Sequence, residues 1–563
     1  MPCAGAFSAR PYEGRFLIEA TKTFTSLSEE FVELHFKHDP VAATLAGVHD
    51  YDRLLPDHSP EGMLARISWL RDLDQRLVVG VNWQELPTEQ RVDYGYLRAR
   101  LAAMRVESEE LRGHTRNPVM FPQTALDSLF LLWTRHSLPA AERKDALLDR
   151  MIAIPDYLKA ARVNLKQVPD VFLGVADEVN RSGPGFVDQV ARSLLESFPA
   201  ERERIEHAAG RARIGFAQYQ DFLDREIEPK VGGTFAIGER WMNYKLEREH
   251  LLGMDCAALM ALGEEQIAKT RARLENEARR IDANKGWKDL IADARQRHPE
   301  PLKLKEVYQA ETDRARRFVI ERRIAPIAAN EKLEVIDTPV FERSVIPYAA
   351  YLPPGPFDED QTGFFYVTPI DLTRRKEEQL QQLEGHNYAG LSLTTVHEAY
   401  PGHHQQLIHA NRNGSRLRRL GDSSLLAEGW ALYCEELMFE QGFYVDAMTR
   451  LYQLKDLLWR ACRVVLDVGL QTGKLTFMQA VDYLREHAMV ERVNAIAEIK
   501  RYTLTPTQPM SYLVGKIEIL GMRADAEKRL GTRFNLYDFH AALLGRGTLP
   551  PALVREELEE VLR

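Results

Sequence analysis

Residues Thr394 to Ala410 read TTVHEAYPGHHQQLIHA. The stretch opens as a helix with His397 beside Glu398, the beginning of the zinc motif H-E-x-x-H. In that motif two imidazoles one turn apart converge on one ion, and the glutamate between them reaches the attacking water. Here the position four residues after His397 is Pro401, so the second histidine is displaced. In an unbroken helix His403 is rotated about 240° from His397 and lies about 9 Å along the axis, so the two share no ion. Pro401 removes a backbone donor and clashes with the carbonyl four residues back, which predicts a bulge or break next to Gly402. Two looped-out residues return His403 to the facing position. His404 keeps His397's face in a regular helix but sits roughly 10.5 Å away, which is awkward for tetrahedral convergence. His403 is therefore preferred as the second ligand, with His404 the alternative and otherwise a group that supports a ligand or touches substrate. His409 reads as exposed.

A third ligand is sought downstream, in DSSLLAEGWALYCEEL (Asp422–Leu437), a helix that Ser423 or Ser424 can cap. Glu428 lies there among Leu425, Leu426, Ala427 and Trp430, where an unpaired carboxylate is costly and a cation is its natural partner. A buried salt bridge is the structural alternative. Glu435 shares Glu428's face two turns on and is placed to orient a ligating histidine. Glu435 and Glu436 are weaker ligand candidates.

Outward from this centre the chain reads mainly as helix. Apolar residues three and four apart run from Phe16 to about Lys230 and again from Gly238 to Glu321, with CAALMALGEEQIAKTRARLENEARRI (Cys256–Ile281) as the longest candidate. From Leu333 to Pro369 the texture changes to alternating β-branched and aromatic residues around Pro and Gly turns, which predicts a small β-sheet. Its segments VIPYAAYL (345–352) and GFFYVT (363–368) precede the histidines, and an exposed strand edge there would hold an extended substrate. After Asn387 the chain is helical to its end. The expected fold is mainly α: two helical lobes around a deep cleft, with the small sheet next to the metal-binding helix. Residues 1–235 form the N-terminal lobe and 236–563 the catalytic one, unless both are one continuous domain.

Composition narrows the function. With 45% apolar and 28% charged residues the 563-residue chain is a folded protein, and a net charge of −9 without a basic, aromatic-rich block speaks against nucleic acid. RLRRL (Arg416–Leu420) reads as a solvated helix face. Cys3, Cys256, Cys434 and Cys462 show no C-x-x-C spacing, so reduced thiols in a cytoplasm are expected. Neither the N-terminal residues nor any later segment offers the apolar run of a leader or a membrane span, and Cys3 lacks the context of a lipid anchor.

TTVHEAYPGHH, followed by EGWALYCEEL and RYTLTPTQPMSYLVGKIEI (501–519), resembles the domain-of-unknown-function 885 family (DUF885) across most of the chain. That family carries H-E-x-x-P-G-H-H and E-G-W-A-x-Y. More distantly the chain is similar to gluzincin-type zinc metallopeptidases such as thermostable carboxypeptidases and thimet oligopeptidase. The resemblance implies zinc held by His397, His403 and Glu428, with Glu398 as general base. The two extra residues in AYPG depart from the metallopeptidase spacing. In PTQPMSYLVGK (506–516) Thr507 and Pro509 stand where DUF885 reads close to Gly and Ala. Tyr512 of that motif is the candidate donor to a carbonyl oxyanion. Arg501, Tyr502, Gln508 and Lys516 are candidates for substrate contact. The expected activity is a zinc-dependent hydrolase of a peptide or small amide, with neither nucleic acid nor membrane as partner. The alternatives are a zinc enzyme acting on a non-peptide small molecule and a non-catalytic helical binding protein.

Overall fold

The computed structural model describes residues 10–135, 137–339, 343, 346 and 348–562. Helices account for most of them, and the sheet falls where the change of texture predicts it. Strand β1 (Lys332–Asp337) runs parallel to β3 (Thr362–Val367), which pairs antiparallel with β2 (Ala349–Leu352), giving the order β1-β3-β2. Alternation decides which face is buried: Val335, Phe365 and Val367 enter the core, while Glu334, Ile336 and Phe364 stay partly exposed on the other face. Val345 and Pro347, at the head of the second predicted strand, lie outside the described residues, as does Cys3.

Eight helices position the site. They are α1 (Cys256–Ile281), α2 (Leu304–Glu321), α3 (Tyr388–Glu398), α4 (His403–Asn411), α5 (Ser424–Glu440), α6 (Ala447–Gln471), α7 (Arg492–Leu504) and α8 (Gln508–Leu530). Helix α1 spans the predicted residues, starts where the Asp255 carboxylate accepts the Ala258 N–H, and buries Leu259, Ile267 and Leu274 while its charges face outward. Helix α3 starts at Asn387, whose side chain accepts the Gly390 N–H at 2.9 Å. Helices α5 and α8 pack backbone to backbone through Gly429 and Gly515. A Cβ on Gly515 would lie 1.8 Å from the Leu425 carbonyl oxygen, so only glycine permits the approach.

One hydrophobic core joins Phe24, Leu70 and Tyr96 to Val396, Trp430, Ile519 and Val554, so residues on both sides of position 235 share it. A second surrounds α1 and α6, and a third, from Val119 to Ile227, belongs to the N-terminal helices. The RLRRL segment is not a solvated face. Residues Arg416–Arg419 make one helical turn, and Arg418 is 1% exposed, paired with Asp93 and Glu557. Cys256, Cys434 and Cys462 are free and buried. Among the described residues no helix is long and apolar enough to cross a membrane.

Candidate metal centre

The predicted bulge is a complete break. Helix α3 ends at Glu398, the chain turns through Ala399–Gly402 across a cis Tyr400–Pro401 peptide, and α4 begins at His403. Three bonds hold the turn: Gly402 N–H to the Val396 carbonyl (3.1 Å), the Trp430 indole N–H to the Pro401 carbonyl (2.8 Å), and the Tyr400 hydroxyl to Glu331 (2.5 Å). Gly402 presses on the end of α3. A Cβ there would sit 1.9 Å from the His397 carbonyl oxygen and 2.3 Å from that of Val396.

The break lets His403 turn back toward His397. The two rings meet edge to face with centroids 4.8 Å apart, and Glu428 of α5 reaches between them. Its Oε2 lies 3.3 Å from His403 Nε2 and 3.7 Å from His397 Nε2. One donor atom from each of the three residues falls within 4.8 Å of the others. The edge of a tetrahedron with bonds of about 2.05 Å is roughly 3.3 Å, so two of the separations already fit a zinc-sized ion. His397 Nδ1 is 2.9 Å from Glu435 Oε1, an N–H···O bond that orients the ring and turns Nε2 toward Glu428. The expected roles of Glu428 as ligand candidate and Glu435 as orienting group therefore meet at one point.

The electrostatics agree. Burial works against a charged His397, yet Glu428 and Glu435 outweigh it and raise its pKa to about 10. Burial likewise opposes ionisation of Glu428, but the two histidines hold its carboxyl well below the usual range. The pocket is built to keep positive charge. Glu398, half-buried at the end of α3, makes no hydrogen bond or ion pair among the described residues, and its carboxylate adds to the negative field on His397.

Several expectations need correction. His404 is fully buried and turns away from the cluster, its Nε2 on Glu331 (2.8 Å) and its Nδ1 on the Tyr351 hydroxyl of β2 (3.0 Å). It does not join His397, His403 and Glu428, because the restart of the helix at His403 sends consecutive side chains to different sides. His409 is half-buried and donates to the Pro326 carbonyl (2.9 Å). Ser423 occupies the cap position of α5 but its hydroxyl makes no capping bond. Glu436 binds Arg273, Arg450 and Lys516 and lies outside the cluster. Sequence reasoning missed Glu331, which lies 73 residues before His404, beyond any local motif.

Residues 40–558 match a family described as "Bacterial protein of unknown function". The chain belongs to the DUF885 family. No curated protein matches it. Two solved structures share the fold. One, a "putative lipoprotein of unknown function" from Shewanella oneidensis, is 22% identical, with 95% of this chain and 99% of that one aligned at a TM-score of 0.79. The other, a "putative lipoprotein" from Colwellia psychrerythraea, is 18% identical, with 97% and 99% aligned at 0.82. At these identities the likeness is one of fold.

The DUF885 motif around PTQPMSYLVGK forms the next wall of the site. Tyr512 stacks near His397, ring centroids 6.3 Å apart and 21° from parallel, with the Arg463 guanidinium 4.7 Å from the tyrosine ring. The Gln508 side-chain amide nitrogen lies 3.4 Å from the Tyr512 hydroxyl and 3.5 Å from Glu428, and Arg501 donates to the Gln508 side-chain oxygen Oε1 (2.7 Å). Tyr502 is closed off: it is fully buried, donating to Glu498 and accepting from Arg463. Lys516 is also buried, on Glu436 at 3.2 Å. Thr507 adopts φ +70°, a conformation that a β-branched residue rarely takes. Compensation comes from His250, 2.8 Å from its hydroxyl, and from buried Asp467, which accepts the Thr507 and Met510 N–H groups.

Proposed function

We propose that this DUF885 chain is a zinc-dependent hydrolase of peptide or small amide bonds. The observation that carries the reading is the convergence of His397, His403 and Glu428 within 4.8 Å, with Glu435 behind His397. Two imidazoles and a carboxylate suit zinc and leave a coordination position open. Bound there, zinc supplies a Lewis acid for the scissile carbonyl and for the attacking water. Glu398, next to a ligand but outside the donor set, takes the proton of the water and delivers it to the leaving amine. Tyr512 donates its hydroxyl to the carbonyl oxygen as that atom gains charge, with Gln508 directing the phenol and Glu428 together. The N-terminal helices are proposed to close a cleft over this wall, and the free, buried cysteines favour a cytoplasmic setting.

The test begins with metal. Elemental analysis of gently purified protein should find about one zinc per chain, and His397→Ala should lose most of it while staying folded. A panel of peptides and amide metabolites then separates the substrate classes. With the substrate so found, Glu398→Gln should keep zinc while turnover falls at least about a hundredfold. Near-zero metal after zinc reconstitution, or near-normal turnover of Glu398→Gln, overturns the reading.

A further inference from the structure

Helix α6 brings two guanidiniums to the Tyr512 ring, with Cζ of Arg463 4.7 Å and Cζ of Arg460 5.7 Å from its centroid. Their surroundings differ. Arg463 is 5% exposed and is held by the Tyr502 hydroxyl (2.8 Å) and Glu498 (3.1 Å). Arg460 makes no hydrogen bond among the described residues. Its ion pair is a long one, 3.9 Å from Nη1 to Asp456 Oδ1, and that oxygen already takes Lys455 Nζ at 2.6 Å. Nε of Arg460 is shut away from solvent, while Nη1 and Nη2, equally without a hydrogen bond, are open to it. The Trp459 ring, 5.2 Å away, steadies the guanidinium together with Tyr512.

The charge on this wall is in positive surplus. Lys455, Arg460, Arg463 and Arg501 face two carboxylates, Asp456 and Glu498, because Arg463 and Arg501 share one oxygen of Glu498 (3.1 and 3.0 Å) that also accepts the Tyr502 hydroxyl. Glu428, beyond Gln508, is turned to His397 and His403. Arg501 uses both Nη groups on Gln508 and Glu498, so Arg460 is the cation left open. A guanidinium with open N–H groups, set between aromatic rings beside a partly exposed tyrosine, matches the width of a carboxylate and meets it with two parallel bonds.

We propose that Arg460 binds a carboxylate of the substrate, and so restricts the proposed hydrolase to acidic peptides and amides whose carboxylate lies one or two residues from the bond cleaved. Tyr512 sets the spacing. Its ring centroid is 6.3 Å from that of His397, which puts the Arg460 guanidinium no more than about 12 Å from the His397 ring. A carbonyl at the Tyr512 hydroxyl and a carboxylate on Arg460 both fall inside that span, which one or two extended residues of about 3.5 Å cover.

The proposal rests on the hydrolase reading, so binding is measured apart from turnover, in the full-length Glu398→Gln chain in buffer containing zinc. Calorimetric titration compares N-acetylglycylglycylglutamine amide, which has no carboxylate, with N-acetylglycylglycylglutamine, which has one at its C-terminus, and N-acetylglycylglycylglutamate α-amide, which has one on its side chain. One of the two acids should bind at least about tenfold more tightly than the neutral compound, and the acid that does so identifies the source of the carboxylate. Arg460→Gln should abolish that preference without lowering the melting temperature, since Arg460 makes no hydrogen bond within the fold. Where the melting temperature does fall, Arg460→Lys decides: it keeps the charge but not the parallel N–H groups, so the preference should drop at least about threefold. Neither acid preferred, a preference that survives Arg460→Gln, or one undiminished in Arg460→Lys overturns the proposal. With Glu398 restored, kcat/KM for the preferred acid should exceed that for the neutral compound at least about tenfold, and Arg460→Gln should remove the ratio. A chain that prefers the acid but cleaves none of the three compounds refutes the hydrolase reading alone, and one that cleaves all three with equal kcat/KM refutes the carboxylate site alone.

Discussion

Glu331 carries three hydrogen bonds at the junction of the histidine helices. Its Oε2 accepts from Tyr400 (2.5 Å) and His404 (2.8 Å), and its Oε1 accepts from Arg316 (2.8 Å). Burial opposes the ionised form, but His404, Tyr400 and Arg316 outweigh it and bring the pKa down to about 2. Because the folded value lies below the ordinary 4.5, the carboxylate contributes stability that is complete above about pH 4.5 and fades as the pH falls toward 2. Shifts of this size correspond to something on the order of 3 kcal/mol. Melting temperatures of the unaltered chain and of Glu331→Gln should therefore differ most near pH 6 and converge below pH 4. A gap that stays constant from pH 6 to pH 3 would show that Glu331 acts through shape alone.

At the scale of elements, the parts of the site that were legible were those whose cause is local. Pro401 and Gly402 announce the break between α3 and α4 within six residues of His397, and an apolar stripe of period 3.6 marks α1 over its whole length. Glu428 stood out because a carboxylate among leucines needs a partner. The direction of His404 was not legible, since it is set by Glu331 and by Tyr351 of β2, neither of which belongs to the motif. The same break gives a prediction. A Cβ on Gly402 would overlap the His397 carbonyl oxygen at 1.9 Å. Gly402→Ala should push α4 off α3, lower zinc content several-fold and reduce the melting temperature, the cost of overpacking being about 1–3 kcal/mol or more. Gly414→Ala, with nothing within 4 Å, is the control and should change neither. Full zinc occupancy in Gly402→Ala would show that the contact does not set the position of His403.

The whole molecule is tied together at Arg418, a residue whose neighbours in sequence suggested a solvated charge run. Its Nε binds Asp93 of the helix Thr88–Arg105, and its Nη1 and Nη2 reach both oxygens of Glu557 in the helix Pro551–Val561, at 2.9 and 2.6 Å. A further bond runs from Nη2 to the Glu89 carbonyl at 2.9 Å. Partners 325 and 139 residues away leave no periodic trace in the sequence, which is why a buried clamp and an exposed basic turn read alike. The clamp also joins the N-terminal helices to the segment that leads into α5, so the wall holding Glu428 depends on it. Removing the cation while leaving both carboxylates is the damaging change, because Asp93 loses its cationic partner and Glu557 keeps only Arg546, at 3.4 Å, and breaking a buried pair costs about 3–5 kcal/mol. Arg418→Met should accordingly lower the melting temperature by several degrees and open residues 88–105 and 551–561 to proteolysis before the rest of the chain. The combined variant Asp93→Asn, Arg418→Met, Glu557→Gln should recover part of the loss, since neutral amides need no counter-ion. A melting temperature unchanged in Arg418→Met would mean that the two ends of the chain are held by their apolar core alone, and that the three-way ion cluster adds nothing to it.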